Sequence, residues 1–205
     1  MQQSAEITHF RHGIDFDDVV ADTTELKTRI ARKFFPRKLT PPKGMFRQDV
    51  VVRKDSERDP SRFTQRQYNR LKEVVFTDPK VGINLHEVPH AFETIRRLKE
   101  EGHTVMIVSN RTPRAAEVAA QWLKKNEIQL VFYPLFVHHD DKREVIETLD
   151  LMSYTDNDIE NLLPLKGKVP HLFLFHTEHN ADVDEPGITR VHGWEELRGR
   201  IRAIK

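Results

Sequence analysis

The feature that most constrains the fold is the alternation of short apolar runs with helix-like segments along most of the chain. In the helix-like segments, apolar residues recur three or four positions apart, which is the period of a helix face. Strands that alternate with helices predict an α/β fold with βαβ units and a mostly parallel sheet. The predicted strands are residues 10–16, 104–110, 128–133, 149–156, 171–176 and 187–191, and the predicted helices are residues 89–102, 112–126, 141–149, 158–165 and 194–204.

The stretch between the first predicted strand and Pro89 interrupts this alternation. Two helices are predicted there, at residues 20–35 and 61–76, with a proline-marked loop between them. Because a structureless loop of that length is uncommon in a compact domain, we expect a mostly helical insert. The predicted organisation is a core domain of residues 1–18 and 87–205 with a helical cap subdomain of residues 19–86.

Composition and charge exclude several classes of protein. The chain has 33 Lys and Arg residues against 32 Asp and Glu residues, so its net charge of +1 gives no field that would attract nucleic acid. It has no cysteine, which excludes disulfides, thiolate metal sites and thiol nucleophiles. The first residues do not resemble a signal peptide, and no apolar run approaches the ~20 residues that cross a bilayer. We therefore expect a cytoplasmic protein with no nucleic-acid or membrane partner.

Polar side chains follow three of the predicted strands and begin one of the predicted helices. They are Asp15, Asp17 and Asp18 after the first strand, Ser109, Asn110 and Arg111 after the second, Lys142 at the start of the helix after the third, and Asp156, Asn157 and Asp158 after the fourth. Open parallel sheets bind ligands at the carboxyl ends of their strands. We therefore expect these side chains to converge at one edge of the sheet.

The chemistry that fits these groups is phosphoryl transfer. An aspartate can attack phosphorus and form an aspartyl phosphate. A second carboxylate two positions later projects to the same side, where it can protonate the leaving oxygen. Mg²⁺ prefers oxygen ligands such as carboxylates and a substrate phosphate. A serine hydroxyl and a lysine ammonium can hold the phosphoryl oxygens, whose charge must be stabilised in the transition state.

At these residues the chain resembles the haloacid dehalogenase-like (HAD) phosphohydrolase superfamily, whose four motifs occur here in the family's order. The resemblance implies that Asp15 is the nucleophile and Asp17 the general acid and base. It matches Ser109 to the second motif, Lys142 to the third and Asp156 to the fourth. It also implies a Rossmann-like doubly wound parallel sheet, a helical cap after the first strand that sets substrate choice, and Mg²⁺ held by Asp15, Asp17 and Asp156.

A narrower resemblance is to the 5′(3′)-deoxyribonucleotidase branch of that superfamily. The opening DFDDVVADT and the SNR at 109–111 are similar to that branch, and so is the tail, with Asn180, Val191, Trp194, Glu195 and Glu196. This resemblance implies a small phosphomonoester substrate, a nucleoside monophosphate, which would be bound by Ser109, Asn110, Arg111 and Lys142. A sugar phosphate is the alternative substrate, and a catalytically silent binding or regulatory protein is the alternative function.

The chain also departs from the pattern of that branch. Asp18 stands where the branch often has Gly, which would add negative charge near the metal. Asn157 takes the second position of the fourth motif, where a second acid is expected. Asp158 could replace Asp156 as a metal ligand, although Asp is also a favoured residue at a helix N-cap. Two aspartates precede Lys142, and either could pair with it.

Overall fold

One six-stranded sheet, all of it parallel, organises the structure, a computed structural model that describes residues 10–38, 50–52, 59–128, 135–136 and 142–204. Its strands are β1 (Arg11–Ile14), β2 (Thr104–Ser109), β3 (Leu135–Phe136), β4 (Ser153–Asp156), β5 (His171–Phe175) and β6 (Thr189–Val191). They lie in the order β3-β2-β1-β4-β5-β6. The order reverses direction at β1, so the carboxyl ends of β1, β2 and β4 face one crevice, as the sequence predicts.

Five of the six predicted strands are confirmed, each within the predicted range. For the third, residues 128–133, only Ile128 lies among the described residues, and it is not in a strand. The strand found in this part of the chain is β3, which pairs with Val108 and Ser109 at the end of β2.

Eight α-helices are present in the described residues: α1 (Thr23–Phe34), α2 (Gln65–Thr77), α3 (Pro79–Gly82), α4 (Ala91–Glu100), α5 (Pro113–Lys125), α6 (Lys142–Thr148), α7 (Ile159–Leu162) and α8 (Trp194–Arg202). All of the predicted helices are confirmed, most of them with shorter bounds. Thr112 caps α5 and Pro113 opens it, since a proline at the first position loses no intrahelical hydrogen bond. The predicted helix 158–165 changes after Leu162 into a 3₁₀ turn that contains Pro164.

The sheet is buried on both faces, which explains why its strands read as continuous apolar runs. In β2, Val105 and Ile107 join the core cluster that includes α4, α5 and α8. Met106 and Val108, one residue out of step, join a second cluster with α6 and α7. Helices therefore cover both faces, and the predicted doubly wound architecture is confirmed.

In its described residues the insert contains α1, α2 and α3, and these helices pack onto one of the two clusters. Leu26 of α1 and Leu71 and Val75 of α2 belong to the same continuous cluster as the α4, α5 and α8 side chains. The division into a core domain and a cap of residues 19–86 stays a prediction. No helix in the described segments is both long and apolar enough to cross a membrane.

The two ends of the insert are held together by backbone hydrogen bonds. Asp22 N–H donates to His86 O at 2.9 Å, and Val88 N–H donates to Val20 O at 2.9 Å. The indole N–H of Trp194, at the start of α8, donates to Val19 O at 2.7 Å. The loop that follows β1 is thereby tied both to the returning chain and to the last helix.

Asp18 lies in this loop with a left-handed backbone, at φ 60°. Its carboxylate accepts hydrogen bonds from Thr23 Oγ1 and from the backbone N–H and Oγ1 of Thr24, at 2.7 to 2.9 Å, and Lys27 Nζ lies 4.0 Å away. Asp and Asn tolerate this backbone conformation better than most residues with a side chain. The acid that replaces glycine therefore fastens the start of α1 to the loop.

Asp18 substitutions should destabilise the fold in a fixed order. Asp18→Asn keeps an acceptor, Asp18→Gly relieves the backbone but loses every acceptor, and Asp18→Ala loses the acceptors while keeping the strained backbone. We expect the free energy of unfolding to fall by less than about 1 kcal/mol in the Asn variant, by about 1 kcal/mol in the Gly variant and by about 2 kcal/mol in the Ala variant. Urea unfolding measures these changes. A glycine variant more stable than the native chain would contradict this assignment.

His12 is a buried histidine at the opposite edge of the sheet from the loop. Its Nδ1 lies 2.8 Å from Ser153 Oγ, and its Nε2 lies 3.1 Å from Nδ1 of His103. Burial, and then the nearby His103 and His171, lower the pKa of His12 from 6.5 to about 3. The folded protein therefore holds this imidazole in its neutral form.

Stability should consequently fall as the pH drops below about 6.5. The unfolded chain binds a proton at His12 below about pH 6.5, whereas the folded chain binds it only near pH 3. Each pH unit in this window lowers the free energy of unfolding by up to about 1.4 kcal/mol. Between pH 7.5 and pH 5 the free energy of unfolding should lose about 2 kcal/mol through this group. His12→Gln should show less of this loss in urea unfolding, whereas the exposed-site control His86→Gln should keep it. Equal pH dependence in wild type and His12→Gln would exclude His12 as the cause.

Candidate active site

The centre of the site is a buried ammonium shared by two carboxylates. Lys142 Nζ, at the first residue of α6, donates to Asp15 Oδ1 and to Asp156 Oδ2, each at 2.8 Å. Burial opposes the charged form of Lys142, but the two carboxylates outweigh it and raise its pKa well above the ordinary value. The backbone N–H of Asp15 donates to Thr155 O at 2.8 Å, so β4 helps to fix the residue that follows β1. The aspartates before Lys142, at 140 and 141, lie outside the described residues.

Asp156 is fully buried and both of its carboxylate oxygens are occupied. Oδ2 accepts from Lys142 and from the Tyr154 hydroxyl at 3.0 Å. Oδ1 accepts from the backbone N–H of Asp158 at 2.9 Å and from Asn161 Nδ2 at 3.2 Å. Each oxygen of a carboxylate has two lone pairs, so these four bonds saturate the group.

Tyr154 is a site residue that the sequence analysis missed. It precedes Asp156 by two positions in a strand, so both side chains emerge on the same face, and this spacing could have identified it. Room for the ring comes from Gly13 of β1, because a Cβ there would come within 2.8 Å of the Tyr154 ring and 2.4 Å of Leu151. A larger residue at 13 would push Tyr154 away from Asp156.

Asp17 is held by Arg111 rather than by Lys142. Arg111 Nε and Nη2 donate to the two oxygens of Asp17 at 3.1 and 2.5 Å, which is a bidentate ion pair. Burial opposes ionisation of Asp17, but the guanidinium outweighs it and keeps the pKa of the carboxyl below its ordinary value. Arg111, predicted to bind substrate, therefore contacts a predicted catalytic residue directly.

Ser109 supplies a buried hydroxyl at the end of the neighbouring strand. It stands two residues beyond Ile107, which pairs with Ile14, and so lies level with the loop that carries the aspartates. The residue is 1% exposed, and among the described residues its Oγ has no hydrogen-bond partner. A buried unpartnered hydroxyl is costly unless something binds there, so this oxygen is suited to a ligand.

A cavity of about 340 Å³ opens between the insert and the loop after β2. Asp17 lies at one side of it, and helix α2 forms another. Its lining comprises Asp17, Asn69, Lys72, Glu73, Phe76, Thr77, Asn110, Arg111, Thr112 and Ala115. Cavities of roughly this volume are at the small end of the range that holds small-molecule ligands. The α2 residues at the cavity were not predicted as site residues.

The charge and donor chemistry of the site fit a small divalent cation. Asp15, Asp17 and Asp156 contribute three negative charges, whereas Lys142 and Arg111 contribute two positive charges. Burial, with Asp156 and Asp17 adding to it and Lys142 opposing it, raises the pKa of Asp15 to about 7. Carboxylate oxygens are the ligands that Mg²⁺ prefers, and an added cation would relieve this excess of negative charge.

The three predicted metal ligands are nevertheless not arranged around one point. Throughout the described segments, no group of three or more His, Cys, Asp or Glu side chains is placed to hold a metal ion. Asp17 is engaged by Arg111, and Asp156 is saturated by protein donors. Asp158, the alternative ligand, caps α7 through Glu160 N–H at 3.0 Å. A cation would therefore meet Asp15 first, and Asp156 would have to exchange a protein donor for it.

Comparison with known proteins identifies the family. Residues 12–205 match the family described as 5′ nucleotidase, deoxy (pyrimidine), cytosolic type C protein. No curated protein matches the chain. The match includes every residue placed at the site above.

Several solved structures that share the fold are HAD hydrolases. A haloacid dehalogenase-like hydrolase from Xanthomonas campestris is 13% identical, with a TM-score of 0.57 and 96% of each chain covered. An L-2-haloacid dehalogenase from Xanthobacter autotrophicus is 10% identical, with a TM-score of 0.57 and coverage of 96% of this chain and 100% of that one.

A heptose bisphosphate phosphatase from B. bronchiseptica, in complex with magnesium and phosphate, is 11% identical, with a TM-score of 0.54 and coverage of 94% and 98%. These structures confirm the HAD-like fold. The family match over residues 12–205 confirms the predicted resemblances and the prediction of a phosphatase. Because the family match spans nearly the whole sequence, this chain belongs to the cytosolic type C 5′ nucleotidase family of HAD-like phosphatases.

Proposed function

We propose that the protein hydrolyses nucleoside monophosphates with Mg²⁺, through a phosphorylated Asp15. The observation that carries this proposal is the buried Ser109 hydroxyl, which has no hydrogen-bond partner in the described part of the chain and lies level with the loop of Asp15, whose carboxylate a buried Lys142 contacts. Such a site offers a nucleophile, a cation and a free donor to a phosphoryl group. The family's description, cytosolic type C, also supports the predicted cytoplasmic location.

In the first step, a carboxylate oxygen of Asp15 attacks phosphorus, and the bond from phosphorus to the ester oxygen breaks. Ser109 and Lys142 donate to the phosphoryl oxygens, with Asn110 beside them at the mouth of the cavity. The departing alkoxide takes a proton from the carboxyl group of Asp17, which lines the same cavity. Asp17 therefore enters this step in its protonated form, although Arg111 favours the ionised form. The product of this step is the free alcohol and an aspartyl phosphate at Asp15.

In the second step, water replaces the alcohol in the cavity. Asp17, whose ionised form Arg111 stabilises, accepts a proton from the water as its oxygen attacks phosphorus. The bond between Asp15 and phosphorus then breaks, which releases inorganic phosphate and restores both carboxyl groups to their starting forms. The hydrogen bond from the backbone N–H of Asp15 to Thr155 O keeps the nucleophile in place during both steps.

Mg²⁺, when bound, would neutralise charge on the phosphoryl oxygens and the nucleophile. Asp15 would hold the cation. Asp156 would contribute an oxygen after losing one of its four hydrogen bonds, of which the bond from the Asn161 amide is the longest, at 3.2 Å. The B. bronchiseptica phosphatase with magnesium and phosphate supports this proposal, because it shares the fold. Asp17, the third predicted ligand, would contribute its carboxylate only if its pair with Arg111 opened.

The cavity beside Asp17 is the proposed place for the leaving nucleoside. Its walls offer side-chain amides from Asn69 and Asn110, the ammonium of Lys72 and the ring of Phe76. Groups that donate and accept hydrogen bonds around a partly apolar pocket suit a base and sugar. Phe63 and Tyr68, two further aromatic residues of the insert, pack into the core.

Phosphate release from a substrate panel tests this function. The panel contains nucleoside and deoxynucleoside monophosphates, sugar phosphates and an aryl phosphate, each with Mg²⁺ or with EDTA. We expect the fastest release from a nucleoside monophosphate, loss of release in EDTA, and a fall of at least about 10³-fold in Asp15→Asn. Asp184→Asn, at an exposed aspartate, is the matched control and should match wild type.

The other outcomes of this panel are informative. A preference for sugar phosphates would reassign the substrate while keeping the mechanism. Full activity in Asp15→Asn would refute the nucleophile assignment. No release from any substrate, together with no rise in melting temperature on adding Mg²⁺ and a phosphate-mimicking fluoride, would favour the catalytically silent alternative.

Asn69→Ala tests whether the leaving group occupies the cavity. Asn69 is exposed on α2, so its truncation should not disturb the core. We expect KM for the preferred substrate to rise about 2- to 10-fold with kcat nearly unchanged, because one hydrogen bond to the leaving group is lost. Arg70→Met, also at an exposed position on α2, is the control. An unchanged KM in Asn69→Ala would place the leaving group elsewhere.

A further inference from the structure

Arg111 joins three parts of the molecule through one buried guanidinium. Its fork binds Asp17 in the loop after β1, and Nη1 donates to Ala115 O in α5 at 3.3 Å. The guanidinium carbon lies 4.6 Å from the ring centre of Phe16 and 4.8 Å from that of Phe76. The side chain is 3% exposed, although it carries a full charge.

The two aromatic contacts belong to different parts of the chain. Phe16 precedes Asp17 directly and packs in the core, with its ring against Trp122. Phe76 lies in α2, in the insert. Arginine stacks on aromatic faces through its flat, weakly hydrated guanidinium, and the attraction is stronger when water is excluded. When α2 is docked, Phe76 therefore covers one face of the Arg111 guanidinium, which excludes water from it and fixes its orientation.

We infer that Arg111 is a positioning residue that couples the docking of α2 against the sheet to the orientation of the Asp17 carboxylate. When α2 lies against the guanidinium, the fork faces Asp17 and both oxygens are fixed. If α2 moves away, Phe76 leaves, water reaches the guanidinium, and the ion pair loses its low-dielectric surroundings. The consequence for catalysis rests on the proposed function, in which Asp17 transfers the proton.

Coupling of this kind is reciprocal, so a change at Asp17 must be felt in α2. Hydrogen exchange of the α2 backbone amides measures this without any substrate. We expect Asp17→Asn and Arg111→Lys each to speed exchange in residues 65–77 by about tenfold, within the range typical of coupled sites. Because both substitutions break the same link, the double variant should exchange no faster than the faster single variant.

Controls separate this coupling from general loosening. Asp15→Asn removes a neighbouring carboxylate that Arg111 does not contact, and Arg70→Met changes an arginine on α2 whose ion pair is exposed. Both should leave exchange in α2 within about twofold of wild type. The inference is overturned if Asp17→Asn exchanges like wild type in α2, or if the effects of the two substitutions multiply in the double variant.

Kinetics provide the second measurement. Arg111→Lys keeps the charge but loses the fork and the flat face, and we expect kcat to fall at least about tenfold while KM changes less than about threefold. Phe76→Leu, which leaves Arg111 in place, should lower kcat in the same direction and show no further loss when combined with Arg111→Lys. A loss confined to KM would make Arg111 a substrate-binding residue only. If wild type releases no phosphate, the proposed function fails while hydrogen exchange still decides the coupling.

Discussion

The ammonium of Lys142 between Asp15 and Asp156 is the contact on which the rest of the site depends. It joins the ends of β1 and β4 to the first residue of α6, and all three side chains are almost completely removed from water. Burying charges is costly, and such pairs seldom add net stability compared with apolar packing. The arrangement is better explained by chemistry, since burial raises the pKa of Asp15, and a desolvated carboxyl of this kind suits the proposed attack on phosphorus. The saturated hydrogen bonding of Asp156 keeps this costly group in one position.

The loop after β1 is fixed from several directions, which gives the aspartates defined positions. Trp194 holds Val19, the carboxylate of Asp18 fastens α1, and Arg111 holds Asp17. These contacts are drawn from the last helix, the insert and the loop after β2, so distant parts of the sequence determine where two neighbouring carboxylates point. This is the physical reason that a loop can carry precise chemistry on a rigid sheet.

The sequence predicted the sheet and the convergence of its polar residues, because strand periodicity and the carboxyl-end rule act on local patterns. It could not predict which charges would pair. Arg111 was expected to bind substrate, and in the structure it pairs with Asp17. Asp156 was expected to bind a metal, and in the structure its oxygens accept hydrogen bonds from Lys142, Tyr154, Asp158 and Asn161. Partners such as Lys142 and Asp15 are 127 residues apart, and nothing in a local pattern gives that distance. Asp18 was expected to add negative charge near the metal. In the structure its carboxylate accepts hydrogen bonds from Thr23 and Thr24 at the start of α1, a contact that depends on the loop conformation and not on composition.

Chemistry and selection are built from different parts of the chain. The groups proposed to act on phosphorus belong to the sheet edge and to the start of α6, whereas one wall of the cavity is α2 of the insert. Residues on an exposed helix face can change with little effect on the core, so the pocket proposed for the leaving group can vary while Asp15, Ser109 and Lys142 stay fixed. Phe76 is an exception among the cavity residues, because it both lines the pocket and covers the guanidinium that orients Asp17. Any change of specificity made through Phe76 should therefore also affect Asp17, the residue proposed to move the proton.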